Sequence, residues 1–359
     1  MLEFALVRVC FGLRERCREY QGQMKTAVLL PVYNPDEKFL RLVEELHKRG
    51  FKVVAVNDGS LERCNEFFKR AAVYADVIGY QINKGKGFAL KRGFEYIGNN
   101  LSEEVDYIVT ADSDGQHAIE DIERVAKLTR KTDGIVLGMR DLSEKIPIKS
   151  RIGNDMSKVV YTIVTGVYLR DNQSGLRGFP ARLCMWLQDI PGNKYEYELN
   201  VLATAHKEGM KVTGIDIKTI YENNNKNTHF RPIKDTVRIQ KSLWAYGLIS
   251  ALLYTLYTLT VSILVWFEIP HFFFWLIGIF VWVTAMHAVL NVFSAGIRHR
   301  QKISVIYYIT CSIKYCIATL IMLLFYYQGW FMFLGGILSL FVILVLSYVF
   351  GRSGILGKV

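Results

Sequence analysis

Tyr107-Ile-Val-Thr-Ala-Asp112-Ser-Asp114-Gly-Gln116 is an apolar run that ends on two carboxylates and an amide. Upstream, Ala27 to Tyr33, Lys52 to Asn57 and Val77 to Gln81 are similar short apolar runs. Downstream lies Gly134 to Met139, and segments of helical period separate all five. Strands spaced by helices of about 10 to 15 residues predict repeated βαβ units and a doubly wound, mostly parallel α/β sheet. Ligands of such sheets bind at the carboxyl ends of the strands. The polar punctuation falls there: Pro31-Val-Tyr-Asn34, Asn57-Asp58-Gly59-Ser60, Asn83-Lys84-Gly-Lys86-Gly87 and Asp112-Ser-Asp-Gly-Gln116. Asp112 and Asp114, with Gln116, offer hard oxygen ligands suited to Mg²⁺ or Mn²⁺, and Asp58 and Asn34 close neighbouring strands on the same rim. No GxGxxG opens the first helix and no GxxxxGK[ST] is present, which disfavours a dinucleotide fold and a P-loop. Gly85-Lys-Gly87 is the nearest approach to a phosphate loop.

From Leu243 to Phe350 charges nearly vanish and apolar residues come in runs of about 20, the length that spans a ~30 Å hydrocarbon layer. Four spans are expected, at about 243 to 267, 271 to 293, 303 to 327 and 330 to 350, forming an all-α four-helix transmembrane domain. Arg298, Arg300 and Lys302 lie between spans two and three, and Lys234, Arg238, Lys241, Arg352 and Lys358 flank the outer ends. The opposite connections, Glu268 to His271 and Gln328 to Gly329, carry no Lys or Arg, so both termini and the front domain are expected in the cytoplasm of a multi-pass protein. Lys314 lies ~16 Å along the third span, near mid-bilayer, and is expected to face the bundle or a lipid-phosphate path. His287 and Asn291, one turn apart, belong either to the same polar face or to helix packing.

The net charge of +11 comes without zinc spacing, RNA-binding signature or helix-turn-helix pattern, so no nucleic-acid partner is expected. Anionic lipid and phosphate ligands account for it better. The six cysteines form no CxxC pair or His/Cys cluster, which leaves a zinc site or disulfide framework without support. Residues 1 to 23 lack a signal-peptide layout, and the leader (1 to 24) reads either as a surface amphipathic helix or as sequence ahead of a start at Met24.

These motifs, with Asp171-Asn-Gln-Ser174-Gly-Leu-Arg177, resemble in order the family 2 glycosyltransferases of the GT-A fold. Within them they are most similar to the polyprenyl-phosphate sugar synthases, the group of dolichyl-phosphate mannose synthase and undecaprenyl-phosphate glucosyltransferases. The resemblance covers about residues 25 to 241, with a catalytic domain over 25 to 225 and an amphipathic interface segment over 226 to 242. The helices at 243 to 359 look like the GtrA-like module that accompanies such enzymes. Pro35 stands where the family has Glu, and Asn57 where it has the first Asp.

The resemblance implies transfer of a hexose from GDP-mannose or UDP-glucose to a polyprenyl phosphate in the bilayer. It implies that Pro31, Tyr33, Asn34 and Asp58 hold the nucleotide, with Lys84 and Lys86 close by, and that Asp112, Asp114 and Gln116 bind metal and diphosphate. Arg140 and Arg151, with Ser174 and Arg177, would cradle the acceptor phosphate. Glu196 or Glu198 is either a ligand to sugar hydroxyls or a carboxylate serving the helix dipole. His229 and Arg231 either close over the diphosphate or face lipid head groups. The acceptor phosphate is already ionised, so a single inverting displacement needs no dedicated base. A processive polysaccharide synthase would share the front motifs, but Gln240-Lys-Ser-Leu-Trp244 lacks the arginine of QxxRW. A lipid-sugar translocator with a binding-only front domain is the third reading. Sugar, nucleotide and oligomeric state, including a homo-oligomer, are left open.

Overall fold

The computed structural model describes residues 25–140, 148–218, parts of 252–263, 300–330 and 332–353; side chains are not described at 148–154, 164, 207, 300–308, 311 or 332–333. The leader, the interface segment with His229 and Arg231, and the second expected span with His287 and Asn291 lie outside the described residues.

Seven strands form one sheet in the order β3-β2-β1-β4-β6-β5-β7. They are β1 (Thr26–Val32), β2 (Lys52–Asp58), β3 (Asp76–Tyr80), β4 (Tyr107–Thr110), β5 (Ile135–Arg140), β6 (Arg177–Pro180) and β7 (Val212–Ile217). The five expected strands are all present, and β1, β2, β3 and β4 pair in parallel, as do β5 and β7. Strand β6 enters antiparallel between β4 and β5, so the sheet is mixed. A charged residue, a glycine and a proline in four positions give β6 no periodic signal. It fits because Gly178 has no side chain where the Thr129 side chain crosses over it.

Helices cover both faces, which is why the central strands read as continuous apolar runs. Alternate residues of β1 (Val28, Leu30, Val32) pack on α1 (Glu37–Lys48), α2 (Asn65–Ala71) and α4 (Ile119–Thr132). Leu29 points the other way, onto α3 (Lys86–Asn100), where a Cβ at Gly93 would lie 2.8 Å from a Leu29 methyl. Helix α1 is specified locally: the Asp36 carboxylate accepts from Lys38 N, Glu37 lies in the first turn and His47 and Lys48 in the last. Its buried Phe39, Leu42, Val43 and Leu46 repeat at helical spacing.

The chain divides into two compact units, and the division does not follow the linear boundary expected at residue 225. Helix α6 (Cys184–Asp189) belongs to the first unit, whereas α5 (Ile148–Thr165) and residues 203–210, which include the end of α7 (Glu196–Lys207), group with the C-terminal helices. In that second unit, α8 (Arg300–Tyr327) and α9 (Met332–Arg352) coincide with the third and fourth expected spans. Tyr315, Ala318, Met322, Phe325 and Ile343 form its apolar core with Tyr257 and Val261. Gly335 lets α9 approach the ring of Phe325, and Gly351 lets it approach Thr162 of α5. Among the described residues one helix, Leu334–Arg352, is long and apolar enough to cross a membrane, and Ser312–Tyr327 is a shorter apolar stretch. Lys314 is buried, its ammonium 6.0 Å from the centre of the Phe350 ring.

Candidate active site

Strand β4 carries the chain to Asp112, and its end is fixed twice: Ala111 N donates to Leu29 O (3.2 Å), and Thr110 Oγ1 donates to Gly175 O (2.9 Å). The second bond draws the Asp171–Arg177 loop over Asp112. A Cβ at Gly175 would stand 2.8 Å from both Asp112 oxygens and 2.8 Å from Lys86 Nζ, so a side chain there would push these side-chain ends away.

Lys86, the first residue of α3, reaches Asp112 Oδ1 at 2.6 Å and Glu198 Oε2, in the first turn of α7, at 2.9 Å. Its side chain is 17% exposed. Burial alone would lower its pKa, but the charges of Asp112 and then Glu198 outweigh that and raise it above the ordinary lysine range. Burial likewise works to raise Asp112, yet Lys86 and the ring of His117, whose Nε2 lies 3.3 Å from Asp112 Oδ2, hold that carboxyl well below the usual range. Asp114 goes the opposite way, pushed up by burial and then by the charge of Asp112, although Gln116 N donates to its Oδ1 (3.0 Å). One rim therefore carries an ionised aspartate and a neighbour that resists ionising.

The two carboxylates in the first turn of α7 have different tasks. Glu196 Oε1 accepts from Asn193 N and Lys194 N (3.2 Å each), closing the turn. Glu198 gives Oε2 to Lys86, while its Oε1 is buried without a hydrogen-bond partner. A buried acceptor in that state is costly until a donor arrives.

The acceptor-side residues separate. Arg140 forks onto Asp171, Nε to Oδ2 at 2.6 Å and Nη2 to Oδ1 at 3.1 Å. Although burial opposes it, that guanidinium holds the Asp171 carboxyl low. Arg177 is 1% exposed and donates to the carbonyls of Ser174 (3.0 Å), Asn172 (3.5 Å) and Glu198, so it braces the loop from inside. Ser174 is fully buried and accepts from Leu176 N. The structure thus brings neither Arg177 nor Ser174 to a surface where a phosphate could reach it. Arg151 lies on α5, with its side chain outside the described residues.

On the nucleotide side, Pro31 and Tyr33 are half-buried at the end of β1. Asn34 takes a left-handed φ of 51°, its N donates to Ser60 Oγ (2.9 Å) and its Oδ1 accepts from Leu61 N (3.0 Å). It sews two motif turns together. Lys84 lies over the rings of Phe88 (4.5 Å) and Tyr80 (5.7 Å). Sequence alone assigns no role to His117, Asp171 or Gly175; the density of polar residues in Asp171–Arg177 is the one signal it carries.

A family profile described as glycosyl transferase family 2 matches residues 27–171. The uncharacterized protein MJ1222 of Methanocaldococcus jannaschii is 30% identical over 201 residues, 54% of this chain and 81% of its own length. The chain belongs to glycosyltransferase family 2. Its mixed sheet is the GT-A-like core of this glycosyltransferase, and the motifs just described sit at its strand ends. A UDP-N-acetylglucosamine–dolichyl-phosphate N-acetylglucosaminyltransferase of Methanococcus voltae is 27% identical to the glycosyltransferase over 220 residues, 54% of this chain and 85% of the relative. Glucosyl-3-phosphoglycerate synthase of Mycobacterium tuberculosis, crystallised with Mg²⁺ and UDP, superposes with a TM-score of 0.47 at 15% identity, covering 65% of this chain and 83% of that one.

Proposed function

We propose that this glycosyltransferase moves a hexose or N-acetylhexosamine from a nucleoside diphosphate sugar to a polyprenyl phosphate at the cytoplasmic face of a membrane. The observation that carries this reading is the convergence of Asp112, Lys86 and Glu198 on one rim, with the unpartnered Glu198 Oε1 beside the ion pair. The named acceptor of the M. voltae relative supports the lipid phosphate, and the apolar helix Leu334–Arg352 supports the membrane.

A divalent ion, Mg²⁺ or Mn²⁺, fits the residues present. Among the described residues no group of three or more His, Cys, Asp or Glu side chains forms a metal cage. Two carboxylates and an amide suit an ion that takes its remaining ligands from substrate phosphates. Asp114 is raised by burial and then by the charge of Asp112, and a cation between the two would relieve that repulsion. Asp112, Asp114 and Gln116 would hold it, and when bound it supplies positive charge to the departing diphosphate.

Pro31 and Tyr33 would line the nucleotide. Glu198 Oε1 would take a hydroxyl of the donor sugar, while Lys86 bonds Glu198 Oε2 and keeps Asp112 ionised. Arg140, whose Nε and Nη2 are held by Asp171, is assigned to the acceptor phosphate on the family resemblance, a guanidinium suiting that anion. Arg151, His229 and Arg231 are assigned to acceptor and diphosphate on the family resemblance. In the reaction an acceptor phosphate oxygen bonds to the anomeric carbon as the bond from that carbon to the diphosphate oxygen breaks, and the electron pair leaves with the nucleoside diphosphate. Configuration inverts. A phosphate monoester, with a second pKa near ~6, needs no proton removed.

The test is transfer in purified membranes, offering labelled UDP-N-acetylglucosamine, UDP-glucose and GDP-mannose with polyprenyl phosphate and Mn²⁺. Label in a lipid extract with intact protein, and absent with Asp114→Ala, is the expected result. Label in a long water-soluble polymer would replace this reading with processive synthesis.

A further inference from the structure

We propose that Asp58 is a positioning residue that sets Lys86, and through it the Asp112–Glu198 rim, and that it is not a nucleotide ligand. The resemblance to the family assigns it to the nucleotide, but its carboxylate is already spent. Oδ1 accepts from Tyr80 Oη (2.7 Å), Lys84 N (2.9 Å) and Gly85 N (3.1 Å), and Oδ2 from Asn83 Nδ2 (3.1 Å) and Gly85 N (3.0 Å). A carboxylate offers about four lone-pair positions, and these donors fill them. The residue is 3% exposed. No acceptor capacity is left for a ribose hydroxyl or a base N–H.

What those bonds hold is the start of α3. Gly85 is the N-cap of that helix, with φ 106° and no side chain to cap it. Asp58, at the end of β2, supplies the missing anion from another strand, where the helix dipole favours it. Gly59, in the turn after it, has no room for a Cβ against the backbone of Asn83, so turn and loop are pressed together. The far side of the loop is fixed as closely. Phe88 N donates to Asn193 O (2.9 Å), a Cβ at Gly85 would lie 2.6 Å from Asn193 O, and one at Gly87 would lie 2.5 Å from Tyr197 Cβ. These glycines serve helix-to-loop packing against the segment that leads into Glu198. Lys86 sits between the two anchors, and its reach to Asp112 and Glu198 depends on both.

The test is a double-mutant cycle of Asp58→Asn and Lys86→Met, read as kcat and KM for the nucleotide sugar. The amide keeps the size of Asp58 but turns an NH₂ toward backbone donors. Asp58→Asn should lower kcat about tenfold or more, the effect of about one buried hydrogen bond to a charged group, with KM within about threefold. The double variant should be no slower than Lys86→Met alone. A KM rise of about tenfold with kcat kept, or losses that add to those of Lys86→Met, would overturn the proposal in favour of direct nucleotide contact. Tyr80→Phe, which removes one donor and keeps the charge, covers the case in which Asp58→Asn does not fold; it should lower kcat in the same direction, and an unchanged kcat would count against the clamp. Hydrogen exchange needs no activity: the amides of Lys84 and Gly85 should exchange faster in Asp58→Asn, or in Tyr80→Phe if only that variant folds, and unchanged exchange would overturn the clamp. Wild-type protein that transfers no sugar would refute the function proposed above and leave this arm standing.

Discussion

The rim of the sheet and the C-terminal helices handle polar groups in opposite ways. At the rim, charges from the end of β4, α3 and α7 meet one another across the chain, and two carboxylate oxygens of α7, Glu196 Oε2 and Glu198 Oε1, are left over among the described residues. Three hydroxyls of α8 and α9 turn back to carbonyls nearby, Thr319 to Tyr315 O, Ser347 to Ile343 O and Ser339 across to Ala318 O, while Ser312 Oγ is buried with no partner among the described residues. The apolar side chains of these helices meanwhile point outward, with Leu320, Leu334, Phe341 and Val349 each at least half exposed. Polar groups gathered and unsatisfied mark a place for a ligand, whereas polar groups satisfied locally under an apolar exterior mark a segment suited to lipid.

The largest expected effect comes from closing the one gap that the rim depends on. Gly175→Ala places a methyl 2.8 Å from both Asp112 oxygens and Lys86 Nζ, which must then separate. Transfer should fall by about 100-fold or more, an effect on the scale of losing a preorganised electrostatic group. The melting temperature should change little, and full activity would mean that the ion pair is idle.

A buried Tyr–His pair in the second unit departs from this pattern. Tyr161 Oη and His206 Nδ1 lie 2.6 Å apart, and His206 Nε2 is buried without a partner. Burial lowers the imidazole pKa from its usual 6.5 to about 4. A depressed folded pKa means that the unfolded chain binds the extra proton first. Stability is therefore complete above about pH 6.5 and is lost as pH falls toward about 4, at up to ~1.4 kcal/mol per unit and roughly 3 kcal/mol in all. Thermal unfolding in detergent across that window should show the slope, and His206→Phe should flatten it.

Packing between the helices comes next. Gly335→Leu drives a side chain into Phe325, whose ring carbon would be 2.9 Å from the new Cβ, and should cost ~1–3 kcal/mol. Detergent unfolding measures it, and a neutral result would mean that α8 and α9 do not pack at this register.

Five of the six parallel strands were legible, β7 being the one missed, because a strand covered on both faces is an apolar run, and β1 with its TAVLLPV is the plainest case. Strand β6 was not, since Arg177-Gly-Phe-Pro180 owes its place to the Thr129 side chain that Gly178 accommodates. The same limit governed the site. Asp112 announced itself by closing an apolar run, but Arg177 and Arg140 read alike as guanidinium groups near a phosphate. Only the fold separates them, sending one to backbone carbonyls and the other to Asp171. Asp58 and Asn34 were legible as rim residues, and nothing in a linear motif says that their partners are the motif's own backbone. Helix α5 could not be assigned to the C-terminal unit from its sequence, because the contact that joins them is a glycine, Gly351, against Thr162.

The smallest expected effect is the one that tests the outward face. Phe341 is 62% exposed and Leu320 64%. In water a row of such residues would be a sticky patch, and truncating one would leave a folded protein's stability within about 0.5 kcal/mol. In a bilayer the apolar surface is solvated by chains as apolar as itself, so Phe341→Ala should again be nearly neutral for unfolding in detergent. Replacement by a charge separates the environments. Phe341→Arg leaves a water-exposed site almost unaffected, but in mid-helix it costs ~2.5–3.5 kcal/mol on insertion scales. Reduced membrane insertion of Phe341→Arg beside normal insertion of Phe341→Ala would place α9 in lipid, and equal insertion of the two would take it out.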